Sequence, residues 1–142
     1  MSKRNKMKRL LVTLVSLCLF FAVWQFISTG RAEELMQSDS GIPDAVSSMS
    51  DGTFCRLTVV ANATSIEDRT EFAYEVAQKC RENSFRTIRF STDRGGLPSD
   101  LEITVYLRRS DIESKEPVMR MRMERVPGGY KLSVDGADIG EI

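Results

Sequence analysis

The chain has 142 residues, with 20 Lys+Arg against 20 Asp+Glu and no histidine. That absence removes Ser-His-Asp and Cys-His catalysis, histidine-bearing zinc sites and the commonest general base near neutral pH. The zero net charge is two opposite regions cancelling: five basic residues (Lys3, Arg4, Lys6, Lys8, Arg9) lie before residue 10, leaving 15 basic against 20 acidic residues beyond them.

From Leu10 to Gly30 no residue is charged. At about 1.5 Å per residue this run makes a helix of about 31 Å, the thickness of a bilayer's hydrocarbon core. The pattern predicts a transmembrane signal-anchor helix over 10–29 behind a cytoplasmic basic head, residues 1–9. Cationic residues stay on the cytoplasmic side, so the expected topology is single-pass, N-terminus in, with the rest extracytoplasmic. Small residues around Gly30-Arg31-Ala32 offer a peptidase-like spacing, and a secreted domain is the alternative. The apolar run is longer than a signal peptide's usual stretch of about 7–15 residues, and Trp24 and Phe26 stand near its outer end; both features favour an anchor.

Residues 30–52 are rich in Ser, Asp, Gly and Ala and poor in large apolar side chains. They read as a flexible linker, because they bury too little surface to fold alone, with Ala32–Gln37 left open as an extension of the membrane helix.

Residues 53–142 read as one extracytoplasmic α+β domain. Thr53–Val60 places Cys55, Leu57 and Val59 on one face of a strand. Thr64 and Glu67 match a capping box, with Ser65 and Asp68 as a second frame. Behind them Ile66, Ala73, Val76, Ala77 and Cys80 form one helical stripe, with Phe72 at its edge. Ser84–Ser91 reads as the next strand, with Ile88 and Phe90 inward. Leu101, Ile103, Val105 and Leu107 alternate strictly with polar partners, and Met119, Met121 and Met123 do the same. Pro127-Gly128-Gly129 and Asp135-Gly136 read as turns around Tyr130–Val134. The expected architecture is a two-layer β-α-β-β-β-β sandwich, with one helix on a mostly antiparallel sheet and a parallel pair at its first crossover. Whether Asp138–Ile142 adds an edge strand is left open.

Cys55 and Cys80 fall at the same edge of this βα unit, and the extracytoplasmic topology supplies an oxidising compartment, so a Cys55–Cys80 disulfide is expected. By loop entropy it would stabilise the domain by roughly 3.5 kcal/mol. Neither cysteine has a histidine partner or a CxxC spacing. No catalytic constellation, cofactor motif or metal-ligand spacing is present. The acids of the Asp93–Asp100 loop lack an EF-hand spacing. Asn62-Ala63-Thr64 matches a glycosylation acceptor, but Asn and Thr belong at a strand-to-helix turn and cap, and that explains the match better.

Two surfaces remain. The uncovered sheet face is expected to carry Phe54, Tyr106 and Arg122, with Tyr106 at its centre, and to dock another envelope protein. The loops away from the linker are expected to gather Asp93, Arg94, Asp100 and Arg125 as candidates for a small ligand. In this reading Arg109–Glu116 shares the linker's edge, and Asn62–Ser65 and Val126–Gly129 share the far one. Arginines interleaved with Glu102 and Glu124 on a net acidic domain suit cross-strand ion pairs, not nucleic acid. The function expected is a membrane-anchored, non-catalytic interaction or assembly module, with an extracytoplasmic ligand-binding or sensor domain as the alternative.

Overall fold

A computed structural model describes residues 3–37, 40–90 and 96–142. The chain forms two compact units that part after Gln37.

The first unit is a single helix, α1 (Lys3–Gln37). Within it Asn5–Gln25, at a mean hydropathy of 1.8, is long and apolar enough to cross a membrane. Its apolar side chains from Leu11 to Trp24 are uncovered. The helix continues past residue 29 through Gln37, the extension that the sequence left open for Ala32–Gln37.

The second unit is a six-stranded sheet with one helix on it: β1 (Asp44–Ser50), β2 (Phe54–Val60), α2 (Arg69–Glu82), β3 (Asp100–Tyr106), β4 (Met119–Val126), β5 (Gly129–Val134) and β6 (Ala137–Glu141). The strands lie in chain order. Among the described residues only β2 and β3 pair in parallel, joined through α2 as a crossover demands; the other pairs are antiparallel. The α+β assignment therefore holds, and Asp138–Glu141 belongs to a paired edge strand.

Two segments depart from expectation. Asp44–Ser50, placed in the linker, is strand β1. A segment with so few apolar side chains folds because an edge strand needs backbone pairing along one side only, and burial falls on Asp44 and Ala45 while Ser47–Ser50 stay exposed. Ser84–Phe90, placed as a strand, forms none. Side chains satisfy its backbone instead: Asp44 Oδ1 accepts from the N–H groups of Arg86 (2.8 Å) and Thr87 (3.2 Å). The Asn83 side-chain amide pairs with both backbone groups of Phe90. Phe85 is buried in the core, and Ile88 and Phe90 pack against it.

Removing that strand reverses the direction of every later one. Arg109–Glu116 therefore joins Asn62 at the C-terminal end of β2, and Val126–Gly129 and Asp100 join Gly52 at the other. The edges expected for these loops are exchanged. The chain enters the sheet at the Asn62 end, where the Gly41 N–H donates to the Asn62 carbonyl at 2.7 Å.

The core lies between α2 and one sheet face, and its pattern is the expected one. Ala73, Val76, Ala77 and Cys80 meet Cys55, Leu57 and Val59 of β2, Leu101, Ile103 and Val105 of β3, and the three alternating methionines of β4. The helix starts later than either expected capping frame. Its N-cap is Asp68, whose carboxylate accepts from the Glu71 N–H at 2.9 Å. Asp68 and Glu71 carry the same i, i+3 spacing one turn on.

Candidate functional site

Alternation sends Phe54, Arg56, Asp100, Glu102, Arg122, Glu124, Lys131 and Ser133 to the face away from α2. On that face a groove of about 510 Å³ opens over β3–β6, with Phe54 at one end. Its walls are charged and cross-linked strand to strand. Arg122 grips Asp100 with two bonds, Nε to Oδ1 at 3.0 Å and Nη2 to Oδ2 at 2.6 Å, and reaches Glu124 at 3.1 Å. Lys131 pairs with Asp138 at 3.0 Å, and Arg56 with Glu102 at 3.2 Å beside the groove. The Arg56 guanidinium also lies over the Phe54 ring, 5.5 Å from its centroid. These are the cross-strand ion pairs the alternation implied.

The charged groups are held as they are. Hydrogen bonding to Asp100, and then the charges of Asp100 and Glu124, raise the Arg122 pKa. Bonding to Asp138 raises Lys131, and bonding to Lys131 lowers Asp138. Each shift moves the group away from neutrality. A proton-transfer site needs the opposite.

Of the three residues expected on a docking face, Phe54 and Arg122 line this groove. Tyr106 shares their face but ends β3, six residues or about 20 Å from Asp100. It pairs with Val60 and lies outside the groove lining, so the centre of the face passes to Arg122. Lys131 and Asp138 were not foreseen; their meeting depends on the β5–β6 register, including the irregularity at Leu132/Ser133.

Of the distal-loop set, only Asp100 and Arg125 fall within the described residues; Asp93 and Arg94 lie outside them. Asp100 is in the open-face network. Arg125 points to the helix side, where Nη2 donates to the Leu97 carbonyl at 2.7 Å and to the Tyr130 hydroxyl at 3.0 Å. It braces the loop before β3. Asp100 and Arg125 therefore serve opposite faces of the sheet.

The expected Cys55–Cys80 disulfide is not formed: both residues are free, buried thiols. Burial, and after it the nearby Cys55, push the Cys80 thiol up to about 12; burial also raises Cys55. Neither thiol readily supplies the thiolate that disulfide chemistry needs.

Asn62 is no glycan acceptor in this fold. It is 4% exposed, and its Nδ2 donates to the Ile42 carbonyl at 2.9 Å from a left-handed backbone (φ 52°). Among the described residues no group of three or more His, Cys, Asp or Glu is placed to hold a metal ion. Protein-family models, curated proteins and solved structures were all compared with this chain, and none matches.

Proposed function

We propose that the protein is a membrane-anchored interaction module that acts by surface recognition. The observation that carries this reading is the open-face groove, where an aromatic ring stands among charged groups locked in pairs. Such a surface suits a polar partner whose own charges can exchange with those pairs. It is poorly suited to acid–base chemistry.

The uncovered apolar stretch of α1 supports a membrane anchor. With the basic head retained inside, α1 would span the cell membrane and hold the sheet unit on the extracytoplasmic side. The partner would then be another envelope protein.

The test is a photo-activatable residue in place of Phe54 in the full chain, irradiated in intact cells. A discrete protein adduct that disappears on Arg122→Glu is the expected result. Adducts to lipid alone, or none, would overturn the interaction reading. A chain recovered from the soluble fraction would overturn the anchor.

A further inference from the structure

The open face holds one arrangement that a solvated sheet ordinarily avoids. Phe54, Asp100, Glu124, Lys131 and Glu141 stand in register across β2–β6. Asp100 and Glu124 are therefore direct cross-strand partners of like charge, a pairing that lowers stability. Departures of this kind from a local rule gather at functional sites. Arg122 bonds to both carboxylates, but one guanidinium neutralises only one of them, and it also faces Glu102 in the next row. Arg56 meets Glu102, and Lys131 lies 3.0 Å from Asp138. Asp100, Glu102, Glu124, Asp138 and Glu141 thus outnumber Arg56, Arg122 and Lys131. Arg120, farther along the same face, lies 4.0 Å from Glu116 and brings no surplus of positive charge. The Asp100 and Glu124 side chains are 30% and 48% exposed, beside the Phe54 ring.

We infer that this row receives a Lys or Arg side chain from a basic segment of the partner protein, its cation at Asp100 and Glu124 and its stem along Phe54. The inference rests on the interaction reading and names the chemistry of its partner. Charge complementarity selects the occupant. An acidic segment would add to a repulsion already present, and beyond its basic head the chain holds 20 acidic against 15 basic residues, which steers encounters the same way. A metal ion is disfavoured, because among the described residues no group of three or more His, Cys, Asp or Glu is placed to hold one. A lysine or arginine needs no such cage: its charge takes the carboxylates while its methylenes cover the aromatic ring. Arg122 keeps the two carboxylates together, so Arg122→Glu scatters the site although it adds negative charge.

The experiment titrates the full chain, in a non-ionic detergent, into a fluorescent peptide of alternating Lys and Gly, read by anisotropy, with the matching Glu and Gly peptide beside it. The Lys peptide should bind and the Glu peptide should not. Glu124→Gln, which keeps an acceptor for Arg122, should weaken the Lys peptide by about threefold or more. Glu113→Gln removes an equal charge from an exposed acid outside the groove lining and should leave binding unchanged. No binding, or an equal loss from both variants, would overturn the inference. In intact cells the Phe54 photo-adduct should be lost with Glu124→Lys and kept with Glu113→Lys. An adduct that survives Glu124→Lys removes the basic partner and leaves the interaction module standing. Absence of any protein adduct removes the interaction reading, and the inference with it.

Discussion

Asn83 holds Phe90 by both of its backbone groups: Nδ2 donates to the Phe90 carbonyl at 3.0 Å, and Oδ1 accepts from its N–H at 2.7 Å. The same residue ends α2 in the left-handed conformation (φ 51°), with its own N–H turned back to Cys80 and Lys79. One asparagine thus stops the helix and replaces the strand partner that Ser84–Phe90 lacks. The two roles separate by substitution. Asn83→Gly keeps the backbone and loses the bracket, at an expected cost of about 1–2 kcal/mol. Asn83→Ala also strains the left-handed residue, adding about 1–2 kcal/mol. Urea unfolding of the detergent-solubilised chain measures both; equal losses would show that only the bracket matters.

What was legible in the sequence was what burial dictates. The stripe of α2 and the alternations of β3 and β4 reappear in the core, because each apolar side chain had one face to occupy; Leu107, beyond the end of β3, and Ile66, ahead of α2 and half-buried, are the exceptions. The misplaced segments are those in which side chains or edge pairing satisfy the backbone. Asp44 and Asn83 act across the fold on Arg86, Thr87 and Phe90, and no local pattern announces such a contact. That one false strand also exchanged the loops between edges, whereas Asp100 and Arg125 stay at one edge and are parted by alternation, since Asp100 pairs with Glu124. Phe54 and Arg122 were found by alternation alone, whereas the Lys131–Asp138 pair required the register of β5 and β6.

Asp135 joins α2 to the sheet. Its Oδ1 accepts from the Arg120 N–H at 3.0 Å, and Oδ2 meets the Arg69 guanidinium. The Arg120 bond is the larger cause, ahead of Arg69, of a carboxyl pKa below its ordinary value. The native state therefore binds a proton less readily than the unfolded one. The stability this gives is complete above the unfolded carboxylate value of about 3.9 and disappears as pH falls through the lower native value. Asp135→Asn keeps an acceptor for Arg120 and loses the charge. Melting temperature measured from pH 6 to pH 2 should fall less steeply in this variant than in the parent. Identical acid limbs would assign the effect to other carboxylates, Asp138 among them.

The buried thiols make the opposite prediction at high pH. An unfolded cysteine ionises at about 8.5, whereas native Cys80 is held at about 12. Stability from this source is present below the unfolded value and is lost as pH rises toward the native one. In the Cys18→Ser variant no thiol should react with a disulfide reagent in the native state, and two should react after unfolding without reductant. If unfolding releases none, the sulfurs are joined. Fast native reaction would show that the last turn of α2 opens.

Gly140 of β6 lies against the Tyr74 side chain of α2. A Cβ built there would stand 2.6 Å from the Tyr74 hydroxyl, and the residue has φ +136°. That hydroxyl donates to the Ile139 carbonyl at 2.7 Å, so the tyrosine cannot retreat without losing its partner. Gly140→Ala therefore meets two separate penalties: a clash with a side chain, and a backbone conformation that costs an L-residue about 1–3 kcal/mol. Tyr74→Phe removes the atom that the methyl strikes and leaves the backbone strain in place. The double variant should then be more stable than the two single losses summed, with a coupling of about 1 kcal/mol or more in denaturant unfolding. Strict additivity would mean that the whole cost of Gly140→Ala is backbone strain and that Tyr74 moves aside freely.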